Sequence, residues 1–458
     1  MLSFLIRFVI AFLIVPTFVA AQPLTRPAAM APLEVQDWGA FRSQLTIAKY
    51  IGITSISTDV WWGKVEGAGD EQFNWSYYDK VSQTIIDSGL KWMPILSFHQ
   101  CGGNVGDDCN IPIPSWVWKK LGHMPPEQHK YKSEKGNYSN EVISLWSNDK
   151  ASRQYIEFVT AFRSRYSMLS EHIEEINIST GPSGELRYPS YNTHDHFTYP
   201  ERGFFQAYSD DAITDFVGYT RNKYVTLEKV NDAWETNLQD WLEIRPPTKP
   251  EEFFTQKEYL NTQYGKDFTY WYSQSLLKHG AFMLQLVTNT LGSDFSGIPL
   301  GIKIPGIHWQ MSSPTMPRSA EITAGLISTD NDIFSETTGY GYFRIIEMIK
   351  HANTEHRPVV LHFTCLEMDN NPSTPNYSQA KNLVFWVDQA AKSQNIEIMG
   401  ENALSSGVKN ERGWDNIDNA IRWGSYRGLT TLRLGDLAVD NNLGFKRYQR
   451  LIEDFKPQ

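Results

Sequence analysis

The stretch EEINIST (174–180) followed by GPSGELRYPSY (181–191) is the point from which the fold is read. EEINIST alternates apolar and polar residues and predicts a strand. After it, a proline and two glycines hold a loop around one carboxylate, Glu185, with Arg187 and two tyrosines beside it. An acid on a tight loop at the C-terminal end of a strand is where α/β enzymes place their chemistry. Outward from this point, short β-type runs alternate with amphipathic stretches along the chain. Eight strands are predicted, at 29–33, 54–59, 93–98, 174–180, 300–304, 359–364, 397–400 and 429–434. Helices are predicted between them, for example at 38–50, 77–88, 152–166, 343–351 and 377–393. Val/Ile-rich strands alternating with helices imply a parallel sheet, and eight repeats imply a closed (β/α)8 TIM barrel. The alternative is a doubly wound sheet with a second domain, but no Gly-rich phosphate-binding turn follows any strand.

The strand-to-helix connections are uneven. Long insertions are expected after the third strand (100–147), the fourth (181–253) and the fifth (305–340). Long ordered loops in a compact domain are usually functional, and in a barrel they stack over the C-terminal face. The 458-residue chain carries a formal net charge of −10, which argues against a nucleic-acid footprint. Residues 1–21 read as a secretory signal, with Arg7 before an apolar run and small residues at 19–21. A membrane anchor is the competing reading, but Arg7 and Pro16 interrupt a run that is short for a span. The expectation is therefore an exported protein, with one domain over 22–458 and no appended module. Cys101 and Cys109 lie eight apart in a Gly-rich loop, and export would allow them to pair; two free thiols are the alternative. Cys365 reads as a buried small hydrophobe. Of the sequons at Asn74, Asn137, Asn177 and Asn376, Asn177 falls within a predicted strand.

Polar residues recur at the predicted strand ends. They are Asp59, His99, Asp107, Glu185, Lys303, His308, Thr364, Glu401, Asn402 and Arg433. Each alone has an ordinary structural reading. Lys303 could be a salt-bridged strand-end lysine, and Arg433 could pair with Asp59 or Asp436. Together they form a ring of carboxylates and hydrogen-bonding groups around one barrel mouth. Two acids from different strand ends, among hydroxyl-binding groups, suggest glycoside hydrolysis. One acid must stay protonated and the other ionised. Spacing alone does not decide between an inverting and a retaining reaction. The Trp61–Trp62 pair reads as core packing rather than a sugar platform.

These residues lie in blocks that carry a resemblance. MAPL, DVWWG, SFHQCGGNVGDDCNIPIPSWV, GPSGELRYPSY, GIHWQ, FTCLEM and GENAL are similar, in this order, to the signature blocks of the β-amylases, glycoside hydrolase family 14. They cover nearly all of 30–433. The resemblance implies an enzyme that removes β-maltose from the non-reducing ends of starch-type α-1,4-glucans with inversion, without a catalytic cofactor. It implies Glu185 as general acid and Glu401 as general base. It places Asp107 on a loop that closes over substrate and Thr364 on an inner loop that holds the leaving glucan. Asp59, His99, Lys303, His308, Asn402, Ala403 and Arg433 would line the sugar subsites. Inversion needs room for a water, so the two carboxyl groups are expected roughly 6.5–9.5 Å apart.

A structural Ca²⁺ is a separate expectation. Glu66, Asp70 and Glu71 follow DVWWG, and Gln154 and Glu157 share a helical face at i, i+3. The bacterial enzymes resemble this arrangement, but Gln154 stands where such sites usually have Glu, and a solvated acidic patch is the alternative. Little sequence separates the signal from MAPL, so a short first strand or a trimmed barrel opening is expected. Two other functions compete: a glucan-binding protein without activity, and a retaining glycosidase of other specificity. A monomer acting on starch, maltodextrin or glycogen is the partner expectation.

Overall fold

A computed structural model describes residues 23–103, 107–122 and 125–456. Eight parallel strands close a barrel: β1 (Arg26–Met30), β2 (Ser55–Trp61), β3 (Lys91–Ser97), β4 (Ile176–Ile178), β5 (Leu300–Ile304), β6 (Val359–Phe363), β7 (Ile398–Glu401) and β8 (Tyr426–Thr431). Each strand pairs with its neighbours in chain order, and β1 pairs with β8 to close the ring, Pro27 opposite Leu429. The eight helices packed outside are α1 (Trp38–Ile51), α2 (Ser76–Asp87), α3 (Asn148–Tyr166), α4 (Gln263–Leu291), α5 (Phe343–Ala352), α6 (Ala380–Ser393), α7 (Glu411–Trp423) and α8 (Leu443–Asp454). The barrel reading therefore holds, with the long connections after β3, β4 and β5. That after β4 carries helices of its own at Asp210–Tyr224 and Leu227–Trp234.

Local sequence explains why these helices start and stop. Asp37 caps α1 by accepting from the Gly39 and Ala40 amides, and Gly52 ends it in the left-handed region at φ 98°. Phe41, Leu45, Ala48 and Ile51 recur at helical spacing and are the residues of α1 that are buried. Trp62 is fully buried among Phe98, Trp116, Tyr155 and Phe158, and Trp61 is buried too, so the pair packs as expected.

Three strands depart most from the expected bounds, while β2, β3, β6 and β7 shift by one or two residues. β1 and β8 both begin three residues earlier than predicted. β1 uses the residues before MAPL, so the barrel opening is not trimmed. β8 ends at Thr431 because the Asn402 side chain takes over there: it accepts from the Leu432 amide (2.8 Å) and donates to the Leu432 carbonyl (3.0 Å). β4 is only three residues long, since the chain leaves the sheet to form the 181–191 loop. α6 starts at Ala380 rather than 377, because Ser378–Gln379 pairs with Asn370–Asn371. Asn177 lies in β4 and is buried, as expected.

Side chains alternate in direction along a strand, so residues two apart share a face. That period stacks the barrel interior in layers. Glu175, held by His362 and Arg26, lies below, and Gly301 leaves it room: a Cβ there would lie 2.4 Å from Glu175 Oε1. Two residues further on, Asn177, Lys303 and Glu401 face the C-terminal mouth on the same strand faces as Glu175, Gly301 and Met399.

Candidate active site

Glu185 is presented by a loop whose conformation its own residues dictate. The Gly184 amide donates to the Gly181 carbonyl (3.0 Å) and the Glu185 amide to the Pro182 carbonyl (3.1 Å), closing one tight turn. A Cβ on Gly181 would lie 2.3 Å from the Glu185 carbonyl oxygen, so the fold-back admits only glycine. The Leu186 amide then donates to the Lys303 carbonyl (2.7 Å), tying the loop to the end of β5. Arg187, fully buried, donates from Nε to Glu185 Oε2 (2.8 Å), and Tyr191 donates its hydroxyl to the same oxygen (3.4 Å). Glu185 Oε1 accepts no hydrogen bond among the described residues. Burial pushes the Glu185 carboxyl above the usual range; Arg187 and Lys303 pull it back, and the Glu401 charge adds to the rise.

Glu401 is the last residue of β7 and is 1% exposed. Lys303 lies between the two acids. Its Nζ is 2.7 Å from Glu401 Oε2 but directs its hydrogen bond to Oε1 (3.0 Å), leaving Oε2 with no hydrogen-bond partner among the described residues. Burial works against the lysine charge, but Glu401, then Glu185 and Asp59, hold its pKa above the ordinary value. The salt-bridged reading of Lys303 therefore holds, with Glu401 as its partner.

Asp59 and His99 lie within electrostatic reach of Lys303. Asp59 accepts from Ser97 Oγ (2.8 Å); burial raises its pKa, against the pull of Ser97, Arg433 and Lys303. His99 bonds through Nδ1 to Ser179 Oγ (2.8 Å) and packs edge-on to Trp61. Burial, with Lys303 and Arg187 nearby, lowers its pKa to about 3, so the ring is neutral. His308 bonds Ser378 Oγ (2.8 Å), and burial lowers it to about 4. Thr364 Oγ1 accepts from the Gly306 amide (2.8 Å). Arg433 does not pair with Asp436, which binds Lys409; it donates to Met30 Sδ (3.4 Å) and lies within electrostatic reach of Asp59. Asp107 accepts from the Gly102 amide (3.1 Å). Its loop is closed by a Cys101–Cys109 disulfide with Cα atoms 5.6 Å apart, and Cys365 is a buried free thiol.

The sequence profile of glycosyl hydrolase family 14 matches residues 28–456. The chain belongs to glycosyl hydrolase family 14. It is 40% identical over 438 residues to a β-amylase of Cytobacillus firmus, covering 94% of this chain and 87% of that one. A thermophilic β-amylase of Thermoanaerobacterium thermosulfurigenes is 42% identical, covering 89% of this chain and 70% of that protein. The crystal structure of the catalytic domain of β-amylase from Paenibacillus polymyxa superposes with a TM-score of 0.85 at 38% identity, covering 96% of this chain and 100% of that one.

Several residues of this family 14 site escaped the sequence reading. Arg187 Nη1 donates to Asn192 Oδ1 (2.7 Å), and Asn192 Nδ2 donates to Glu141 Oε2 (2.6 Å), so a buried chain runs from the third loop to the acid. Glu367 accepts from the Ala403 amide (3.0–3.1 Å) and the Leu404 amide (2.9 Å), clamping the segment after Glu401. Burial raises Glu367 to about 7 despite those bonds. An acid inside the apolar FTCLEM block was the available signal for Glu367; nothing local marked Glu141.

The predicted metal ligands lie apart from this mouth. Asp70 Oδ1, Gln154 Oε1 and Glu157 Oε2 are buried without hydrogen-bond partners, although Asp70 pairs with Lys120 and Glu157 with Arg153. Glu66 accepts from Trp62 Nε1 (2.7 Å) and the Glu71 amide (2.8 Å). Burial raises it to about 7, and Asp70 and Glu157 add to the rise. Glu71 contributes that amide, while its side chain is exposed. Among the described residues, no three His, Cys, Asp or Glu side chains form a ready cation cage.

Proposed function

We propose that this family 14 chain hydrolyses α-1,4-glucosidic bonds from the non-reducing ends of starch-type glucans, releasing β-maltose with inversion. The asymmetry of the two carboxyl groups carries the reading. Glu185 is pushed towards its protonated form, with Oε2 held by Arg187 and Tyr191, so Oε1 delivers the proton to the glycosidic oxygen. Arg187 and Lys303 then stabilise the carboxylate that remains. Glu401, ion-paired with the Lys303 ammonium, takes the proton from the water that attacks the anomeric carbon. Neutral His99 and His308 bind sugar hydroxyls without adding charge. Asp59, Asp107, Thr364, Asn402, Ala403 and Arg433 complete the subsites. Digestion of soluble starch read at once by NMR tests the proposal. Maltose appearing first as the β-anomer is expected. Glucose, α-maltose or internal fragments would overturn it, and binding without turnover would leave a glucan-binding protein.

Ca²⁺ takes oxygen ligands from carboxylates and amides. The orphaned oxygens of Asp70, Gln154 and Glu157, with Glu66 beside them, fit such an ion. Its role there is structural, bridging the segment after β2 to α3, and it takes no part in the reaction. Residues 1–21 lie outside the described residues; their signal-like pattern and the Cys101–Cys109 disulfide support export into an oxidising compartment. No helix among the described residues is long and apolar enough to cross a membrane.

A further inference from the structure

A groove of about 300 Å³ runs between α6 and α7 on the outer wall of the barrel, away from the catalytic mouth. Two aromatic rings line it and remain open to solvent, Trp423 at 76% and Phe385 at 57% exposure. Neither helix requires them there: α6 buries Leu383, Val384 and Val387, and α7 buries Trp414, Ile417 and Ile421. Solvent-facing aromatics grouped on one groove mark a contact site, since single-residue scatter does not line a concavity.

The groove's charges are already matched internally. Lys381 pairs with Asp369 (2.8 Å), and Asp388 accepts from the Ser425 amide (2.7 Å) and hydroxyl. What remains to meet a ligand is aromatic surface and uncharged amide. Asn419 is exposed on the rim, and Asn416 forms part of the floor. Asn416 Nδ2 is committed to the Glu367 carbonyl (2.9 Å), which fixes the amide's orientation and leaves Oδ1 without a partner among the described residues. A ligand for such a groove is neutral, with flat apolar faces for the rings and a hydroxyl for the exposed Asn419 amide. A pyranose chain has that chemistry, and a charged peptide or phosphate does not.

We propose that the α6–α7 groove is a second, non-catalytic binding site for an α-glucan chain, with Trp423 and Phe385 as stacking platforms. The inference rests on the reading of this chain as a glucan hydrolase. From Lys381 to Asp388 the groove follows eight residues of α6, about 10 Å. It therefore holds a short stretch of chain and tethers the enzyme to a polymer whose end is being consumed at the mouth.

Affinity electrophoresis in gels containing amylopectin tests this, comparing the unaltered protein with Trp423→Ala and Phe385→Ala. Turnover of soluble maltoheptaose is measured in parallel. Each substitution is expected to weaken amylopectin binding by about fivefold, while kcat/KM on maltoheptaose stays unchanged. Retardation equal to that of the unaltered protein in both variants would overturn the proposal. So would a dimer in sedimentation that Trp423→Ala dissociates, because the groove's occupant would then be a second copy. Absence of maltoheptaose turnover in the unaltered protein would defeat the hydrolase reading instead, and is distinguishable from either result.

Discussion

Arg187 illustrates how one buried side chain sets the behaviour of the acid. Its guanidinium is among the causes that hold the Glu185 carboxyl down, against burial, which raises it. Removing that positive charge raises the Glu185 pKa further, so the acid keeps its proton to higher pH. In Arg187→Met, the alkaline limb of the kcat/KM profile is therefore expected to move to higher pH, with Arg187→Lys falling between it and the unaltered protein. An unmoved limb in Arg187→Met would show that the arginine does not tune the acid. Glu185→Gln and Glu401→Gln are each expected to reduce kcat by about 10²–10⁴-fold, the usual worth of a positioned acid or base. Their circular dichroism and melting temperature should stay close to those of the unaltered protein.

At the scale of elements, the short α-helical turn Trp62–Val65 after β2 joins the barrel to the third loop through aromatic packing. Trp62 meets Phe98 just past β3, Trp116 in that loop, and Tyr155 and Phe158 on α3. Its ring also donates to Glu66, so the same residue supports the acidic cluster. Truncation of a fully buried tryptophan costs about 3–5 kcal/mol. Trp62→Ala should lose stability of that order in urea unfolding. A loss near zero would mean that the cluster repacks around the cavity.

For the whole molecule, the acidic cluster couples stability to pH, and the proposed calcium site would couple it to that ion as well. The Glu66 pKa is raised in the folded chain from 4.5 to about 7. A raised carboxyl pKa means that the folded state holds the proton more tightly, so that stabilisation is present below the unfolded value and is lost as pH rises through about 7. Calcium requires the ionised carboxylates and reverses the trend. Excess calcium should therefore raise Tm more at about pH 8 than at about pH 5, and a chelator should cancel the gain. Equal Tm with calcium and with chelator at both pH values would leave an acidic patch with no ion.

Period and composition were enough to determine the barrel, because strand and helix alternation is written in local hydrophobic spacing. Glu185 and Glu401 were legible for a related reason: each lies at or just after the end of a strand, within a distinctive run of residues. The strand ends of β1 and β8 were not, since their register depends on each other and on the Asn402 side chain thirty residues from Leu432. The links from Arg187 through Asn192 to Glu141, and from Glu367 to Ala403, were equally hidden. Asn192 and Glu141 lie 51 residues apart and Glu367 and Ala403 lie 36 apart, and no local pattern encodes which distant carboxylate a buried donor will meet. The amino-acid order, through its family resemblance, pointed to Glu185 as the acid and Glu401 as the base. Only the folded chain could set them apart electrostatically, because burial, Arg187 and Lys303 act through space.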